Sequence, residues 1–158
     1  MKVKIISLIL LLSMCSTPSI EEGYIEVSDN DFLNLRTIKE NEKVSIDSGL
    51  VIVNYWASWC LECIEEHELL IALSEVEGLN GKIILVSFQD SEDNALSFLN
   101  KYGYGDITYV TDENSKFSIN SGVFGVPETH IIKNNKIVKK YIGPLNFKDF
   151  QEIIDLYS

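Results

Sequence analysis

Two hydrophobic stretches dominate the middle of the chain, and each contains a single polar residue of the amide or hydroxyl type. Leu50–Trp56 is interrupted only by Asn54, and Ile83–Phe88 only by Ser87. Strands that are buried on both faces of a sheet have such nearly continuous runs, in which β-branched and aromatic residues are common. The pattern therefore predicts two central strands.

Three amphipathic helices are predicted from apolar residues that recur every three or four positions. They cover residues 61–76, 93–102 and 147–157. Two further strands, 128–132 and 136–141, flank Asn134-Asn135, a residue pair that favours a tight hairpin turn. An N-terminal β-hairpin extension is predicted over residues 33–46. Strands that alternate with helices in this way indicate an α/β sheet covered on both faces.

The N-terminal segment, residues 1–15, has the composition of a signal peptide or membrane anchor. Lys2 and Lys4 precede a run of Ile and Leu that is too short for a membrane span of about 20 residues. Residues 16–29 are polar and predict a tether, so the folded domain is expected over 30–158. Export implies an oxidising compartment.

Cys15 ends the motif Leu12-Ser13-Met14-Cys15, which resembles a bacterial lipobox, in which the cysteine is lipidated after cleavage. Met14 stands where that pattern prefers a small residue. Lipidation of Cys15, ordinary cleavage and a retained anchor therefore all stay open. Lipidation would account for the odd cysteine among the three in the chain.

The composition predicts a soluble, acidic domain with a hydrophobic core. The 158 residues fit one domain with a short appendage, and 46% of them are hydrophobic. The formal net charge is −11, without the basic stripe that nucleic-acid binding uses, so no nucleic-acid partner is expected. The acidity is typical of a well-solvated surface, and electrostatic selection of a basic partner is the alternative.

Cys60 and Cys63 carry the strongest chemical signal. They lie in Trp59-Cys60-Leu61-Glu62-Cys63, between a predicted strand and a predicted helix. Free N–H groups and the dipole at a helix N-terminus favour the thiolate of Cys60. Cys63 lies one turn further on, close enough to form a disulfide. The pattern predicts thiol–disulfide exchange, with Cys60 as an exposed attacking thiol and Cys63 as a more buried resolving thiol.

Two other uses of the cysteine pair are weaker hypotheses. A structural disulfide across so short a loop would remove little entropy from the unfolded chain. A copper or zinc site could use Cys60, Cys63 and His67 on one helix face, but it needs another ligand, and His130 is the only other histidine. We therefore predict neither a metal nor another cofactor.

Three short motifs resemble those of a known family. VNYWASWC at 53–60 resembles the VNFWASWC of membrane-tethered, thioredoxin-like TlpA proteins. GVFGVPET at 122–129 is similar to the GVYGVPET of the DsbE (CcmG) branch, thiol:disulfide interchange proteins of cytochrome c biogenesis, and CIEEH at 63–67 resembles the same branch. The resemblance covers residues 33–156. It implies a thioredoxin-like α/β sandwich with a central mixed sheet flanked by helices.

The resemblance also implies which residues form the site. Cys60 and Cys63 match the redox pair, and Pro127 matches a cis-proline that faces the disulfide. The cis bond would turn the preceding backbone toward the substrate. Active-site support is expected from Trp59, Val126, Pro127 and Glu128.

One departure and one agreement with the family concern charge near the cysteines. Glu62 stands where the family commonly has proline or a neutral residue, and Glu62 and Glu66 are expected to tune the pair, because a nearby carboxylate disfavours a thiolate. Asn54 stands where cytosolic thioredoxins have a buried aspartate. Proton transfer to Cys63 then needs another route, for which Glu128 or water is the hypothesis.

The function implied by the resemblance is reduction of the apocytochrome c disulfide before haem attachment. A membrane thiol reductase would supply the electrons. We expect a monomer on the periplasmic side of the inner membrane, anchored or lipidated, or else soluble in the periplasm. The alternatives are a general TlpA-like reductase with another client, and a copper-binding assembly factor.

Overall fold

The computed structural model describes residues 26–27, 32, 35–44, 49–112 and 114–157. The predicted signal or anchor at 1–15, with Cys15, and most of the predicted tether at 16–29 lie outside these residues. Within the described ranges, no helix is both long enough and apolar enough to cross a membrane.

A mixed sheet of six strands forms the centre of the described domain. The strands are β1 (Arg36–Thr37), β2 (Leu50–Trp56), β3 (Ile83–Phe88), β4 (Thr108–Asp112), β5 (Glu128–Lys133) and β6 (Lys136–Ile142). They lie in the order β1-β4-β3-β2-β5-β6. Strands β2, β3 and β4 are parallel, whereas β1, β5 and β6 run antiparallel to their neighbours. Strand β2 therefore lies in the interior of the sheet.

The helices cover two hydrophobic layers, one on each face of the sheet. The helices are α1 (Leu61–Ser74), α2 (Glu92–Tyr102), α3 (Lys116–Asn120) and α4 (Phe147–Tyr157). Ile52 and Trp56 of β2 pack with residues of α1, α2 and α4. Val53 and Tyr55 point to the opposite face, where Phe117 of α3 packs. This arrangement confirms the predicted sandwich.

The predicted elements match the structure with two omissions, β4 and α3. Strand β4 lies between β3 and β1, and α3 has only five residues. At the predicted N-terminal hairpin, the described residues form one bridge, between Arg36 and Lys43, and the Thr37 N–H donates to the Glu42 carbonyl at 2.9 Å. Strand β1 then extends the sheet by pairing with β4.

Candidate active site

The disulfide between Cys60 and Cys63 lies at the N-terminus of α1, directly after β2. The Cα atoms of the two cysteines are 5.2 Å apart. Cys60 is the N-cap residue of α1, with an extended backbone, and its Sγ accepts a hydrogen bond from the Cys63 N–H at 3.2 Å. Sγ of Cys60 therefore occupies the position where a helix N-terminus stabilises negative charge.

Both cysteines are buried in this disulfide form. Cys60 is 4% exposed and Cys63 2% exposed. The expectation of an exposed Cys60 is therefore wrong for the oxidised site, because its sulfur is bonded to Cys63 and lies against the first turn of α1, where it accepts the Cys63 N–H. Attack by Cys60 on a client requires the bond to be reduced first.

Trp59 is the exposed neighbour of the disulfide. Its side chain is 60% exposed, and its indole Nε1 donates to the Gln89 carbonyl at 3.2 Å. The preceding turn is tied to the same loop, because the Ser58 N–H donates to Oδ2 of Asp90 at 2.6 Å. The loop after β3 therefore fixes the segment that leads into the disulfide.

The segment before β5 carries a cis peptide bond between Val126 and Pro127. The Pro127 carbonyl accepts from the Gly143 N–H at 3.0 Å, which joins this segment to the end of β6. A groove of about 500 Å³ is lined here by this segment and by the end of β6. Phe124 and Ile142 stand on it almost fully exposed, at 96% and 85%. An apolar client surface could pack against these side chains.

Glu66 is a buried residue of α1, on the same helix as Cys63, which is also buried. It lies three residues after Cys63, a spacing that puts Cβ atoms about 5–6 Å apart on a helix. Its Oε1 accepts from Nδ2 of Asn54 at 2.6 Å, and its Oε2 accepts from the Leu145 N–H at 2.7 Å. Burial raises the pKa of Glu66 to about 7, against the effect of these two hydrogen bonds. Glu66 can therefore gain or lose a proton near neutral pH.

Glu128 lies on the opposite face of the sheet. It pairs in register with Tyr55, whose side chain belongs to the α3 layer, whereas Thr129 pairs with Asn54. Oε1 of Glu128 lies 2.6 Å from Nε2 of His130 and 3.6 Å from Nζ of Lys140. The hypothesis that Glu128 exchanges a proton with Cys63 is not supported by this arrangement, because the alternation of side chains along β5 directs Glu128 away from α1. Glu66 is the better placed carboxylate.

His130 is fully buried beside Glu128, and its ring centroid lies 4.8 Å from that of Tyr55. Burial lowers the pKa of His130 to about 4, although the hydrogen bond with Glu128 opposes the shift. The imidazole is therefore neutral at physiological pH and donates from Nε2 to the carboxylate. Lys140 also donates to the Ser121 carbonyl at 2.9 Å. This cluster holds the segment before Pro127 against the sheet.

His67, the histidine considered as a metal ligand beside the cysteines, and Glu62 are the remaining predicted residues of the site. Nε2 of His67 lies 3.0 Å from the Gly103 carbonyl oxygen, and the ring packs edge-on against Phe98 at 5.0 Å. Burial lowers the pKa of His67. In the part of the chain that is described, no three His, Cys, Asp or Glu side chains are grouped as a metal site. Glu62 is exposed in the first turn of α1.

Sequence reasoning named Asn54 and Glu66 separately but missed their contact, and it missed Thr129, Leu145 and Lys140. One signal was available in the sequence. A single polar residue within a strand that is apolar elsewhere needs a buried hydrogen-bond partner. Glu66, three residues after Cys63, lies on the same face of the predicted helix and is a candidate for that partner.

The fold and the site define a thioredoxin-fold protein with a Cys-x-x-Cys disulfide at a helix N-terminus. The chain belongs to the Redoxin family, which it matches over residues 31–154. It is 38% identical over 101 residues to the thiol:disulfide interchange protein CycY of Rhizobium leguminosarum bv. viciae, a match that covers 63% of this chain and 53% of CycY. It is 32% identical over 105 residues to DsbE of Vibrio cholerae, covering 66% of this chain and 55% of DsbE.

These matches confirm the resemblance to DsbE-type thiol:disulfide interchange proteins, and the chain spans little more than half the length of these curated relatives. Solved structures agree on the fold. The structure of dsbF of MTB gives a TM-score of 0.69 at 16% identity, covering 84% of this chain and 99% of that chain. StoA of Bacillus subtilis gives 0.59 at 18% identity, covering 76% and 96%.

Proposed function

We propose that this protein is a thiol–disulfide oxidoreductase that acts through Cys60 and Cys63. The observation that carries the proposal is the position of the disulfide, with Cys60 Sγ as the N-cap of α1. Stabilisation of a thiolate at that position makes Cys60 the attacking group. The relatives named thiol:disulfide interchange proteins support the same chemistry.

The reaction transfers two electrons from the dithiol to a client disulfide. The Cys60 thiolate attacks one client sulfur, so the client disulfide breaks and a mixed disulfide forms. Cys63 then gives its thiol proton to the Glu66 carboxylate, and its thiolate attacks Cys60 Sγ. This step forms the Cys60–Cys63 disulfide and releases the second client sulfur as a thiolate. Solvent protonates the client thiolates and takes back the proton from Glu66.

The client we propose is apocytochrome c, reduced before haem attachment, with a membrane thiol reductase as electron donor. The similarity of 122–129 and 63–67 to the DsbE branch supports this client. The exposed side chains of Phe124 and Ile142 beside Pro127 provide an apolar surface for an unfolded segment. A general reductase with a different client is the second candidate, because the exposed apolar side chains of Phe124 and Ile142 can pack against many unfolded segments.

We also propose that the protein lies on the periplasmic side of the inner membrane, with Cys15 lipidated. The run of Ile and Leu that follows Lys4 and the lipobox-like motif ending at Cys15 support this location. The mass of the mature N-terminus distinguishes a lipidated cysteine from plain cleavage and from a retained anchor.

The client is tested by trapping. Reduced Cys63→Ala protein is expected to form a stable mixed disulfide with oxidised apocytochrome c, because the resolving thiol is absent. Non-reducing electrophoresis and mass spectrometry would detect the adduct, and apocytochrome c with both haem-binding cysteines changed to Ser is the control. If the mixed disulfide formed at equal rates with oxidised insulin and with oxidised apocytochrome c, the result would favour the general reductase. No adduct with either protein would contradict the proposed activity.

Glu62 should make the protein more reducing, because an exposed carboxylate beside Cys60 disfavours the thiolate form. We expect Glu62→Gln to raise the thiolate fraction of Cys60 and to make the reduction potential less negative. Unit charges at about 4 Å interact by about 1 kcal/mol in water, which corresponds to roughly 20 mV for a two-electron couple. Equilibration with glutathione buffers measures the change.

Glu65→Gln is the matched control for this measurement, because Glu65 is also exposed on α1 but lies further from the N-cap. It removes the same charge and should change the potential much less. An unchanged or more negative potential in Glu62→Gln would refute the electrostatic argument.

A further inference from the structure

A chain of buried side-chain hydrogen bonds links two strands of the sheet to α1, the helix that carries the cysteine pair. Asn54, in the interior strand β2, is fully buried, as is Thr129 in β5. Nδ2 of Asn54 donates to Oε1 of Glu66 at 2.6 Å and to Oγ1 of Thr129 at 2.9 Å. The chain Thr129–Asn54–Glu66 therefore connects β5, β2 and α1.

The chemistry of these groups gives the chain a direction. An ionised carboxylate only accepts hydrogen bonds, so Glu66 requires the NH₂ end of the Asn54 amide, not the oxygen. The Thr129 hydroxyl can accept as well as donate, and here its oxygen accepts from the same Nδ2. Oδ1 of Asn54 has no hydrogen-bond partner among the described residues. Both bonds of the amide thus hold Nδ2 toward Glu66.

The surroundings of Glu66 leave these hydrogen bonds as its main polar contacts. Within the described residues, no charged side chain forms an ion pair with Glu66, whose other partner is the Leu145 N–H. The other ionisable groups of its helix face different partners, since His67 contacts Gly103 and Cys63 is joined to the other cysteine. Glu62 and Glu65 of the same helix are exposed.

We propose that Asn54 and Thr129 are positioning residues for the resolving step: Thr129 orients the Asn54 amide, and Asn54 keeps the Glu66 carboxylate ready to accept the Cys63 proton. The inference rests on the proposed function, because it needs Cys63 to lose a proton. Thr129 lies two residues after Pro127, so the same strand that follows the client-facing segment also holds the proton acceptor in place.

The expected consequence is a shift in the ionisation of Glu66. Loss of a hydrogen bond to a carboxylate favours its protonated form, so Asn54→Leu should raise the pKa of Glu66 above its value of about 7. A rise of about one unit would lower the ionised fraction of Glu66 at pH 7 about five-fold. Resolution of the mixed disulfide should slow by a similar factor at pH 7 and recover at higher pH.

Thr129 provides a matched pair of variants. Thr129→Val removes the hydroxyl at nearly constant shape and should shift the ionisation in the same direction as Asn54→Leu, by a smaller amount. Thr129→Ser keeps the hydroxyl and should leave the ionisation of Glu66 close to that of the wild-type protein. If Asn54→Leu does not fold, comparison of Thr129→Val with Thr129→Ser still shows whether these hydrogen bonds set the ionisation of Glu66.

The decisive measurement is the carboxyl ¹³C titration of Glu66 in the oxidised, ¹³C-glutamate-labelled protein, with Glu66→Gln used to assign the signal. The disulfide removes cysteine titration, so this readout does not depend on catalysis. Stopped-flow measurements of mixed-disulfide resolution between pH 5 and 9 give the second readout.

An unchanged Glu66 midpoint in both Asn54→Leu and Thr129→Val would overturn the inference even if the protein exchanges disulfides normally. Shifted Glu66 midpoints with an unchanged pH profile of mixed-disulfide resolution would also overturn it, because the hydrogen bonds from Thr129 through Asn54 to Glu66 would then have only a structural role. Absence of any exchange by the wild-type protein would instead contradict the proposed function.

Discussion

Cys60→Ser is expected to abolish turnover and mixed-disulfide formation, whereas Cys63→Ser should form the mixed disulfide and fail to release it. The difference follows from the position of the two thiols on α1. Sγ of Cys60 caps the helix and accepts the Cys63 N–H, so a thiolate is stabilised at Cys60. Cys63 lies within the first turn of α1, is bonded to Cys60 in the oxidised form and is 2% exposed.

Alkylation of the reduced wild-type protein tests the same assignment without a substitution. A limiting amount of iodoacetamide should label Cys60 first, and peptide mass spectrometry locates the label even though Cys15 is a third thiol in the full chain. The two serine variants are controls for each other, because each keeps one thiol of the pair. Faster labelling of Cys63 would reverse the order of attack.

The stability of the oxidised protein should change less between pH 4.5 and 6.5 than Glu66 alone or the histidines alone would cause. Buried Glu66 and buried His130 have opposite effects, and His67 adds to the effect of His130. The pKa of Glu66 is raised from 4.5 to about 7, so the folded state binds more protons than the unfolded state in that interval, and stability falls as the pH rises. The pKa of His130 is lowered from 6.5 to about 4, so its contribution is lost as the pH falls. Each shift corresponds to about 3 kcal/mol.

Removal of either group should therefore expose the effect of the other. Glu66→Gln is expected to give a protein whose free energy of unfolding rises by at least about 3 kcal/mol between pH 4 and 6.5, because the effect of His130 remains and the lowered pKa of His67 acts in the same direction. His130→Gln keeps an N–H donor near Glu128 and should show the reverse, with stability falling from pH 4.5 to 7 by less than this amount, because His67 still opposes Glu66.

Urea unfolding of the oxidised wild-type protein and of both variants over this range measures the slopes. The test depends on how the free energy of unfolding changes with pH and not on its absolute value, since each substitution is also expected to lower the overall stability by removing a buried contact. Parallel pH profiles for the wild-type protein and both variants would contradict the two pKa shifts.

Local sequence patterns determined much of this fold. The nearly continuous run at β2 predicted an interior strand, and the structure places it between β3 and β5. Asn134 and Asn135 predicted the turn between β5 and β6, where both residues have positive φ, of 51° and 62°. Such signals depend only on neighbouring residues, because turn geometry and burial of a whole strand act over a few positions.

Strand β4 and helix α3 could not be recognised in this way. In β4, Thr108 and Thr111 are only half-buried and interrupt the apolar pattern, and the strand forms because β3 and β1 pair with its two sides. Helix α3 is too short for a periodic pattern to develop. Strand β4 therefore depends on neighbours that are distant in the sequence, whereas α3 is held by hydrogen bonds from its first turn to Asp112.

In the active site, too, local sequence motifs predicted some features, whereas contacts between distant residues decided the others. The sequence by itself determined the cysteine pair, the helix that begins beside it and the resemblance that marked Pro127, because these depend on short motifs. Only the tertiary structure decided that Glu66, and not Glu128, lies on the side of the cysteines. That choice depends on the register of β5 against β2 and on contacts of Glu66 with Asn54 and Leu145, which are 12 and 79 residues away. Packing fixes such distances, and a one-residue change of register would have turned Glu128 to the other face of the sheet.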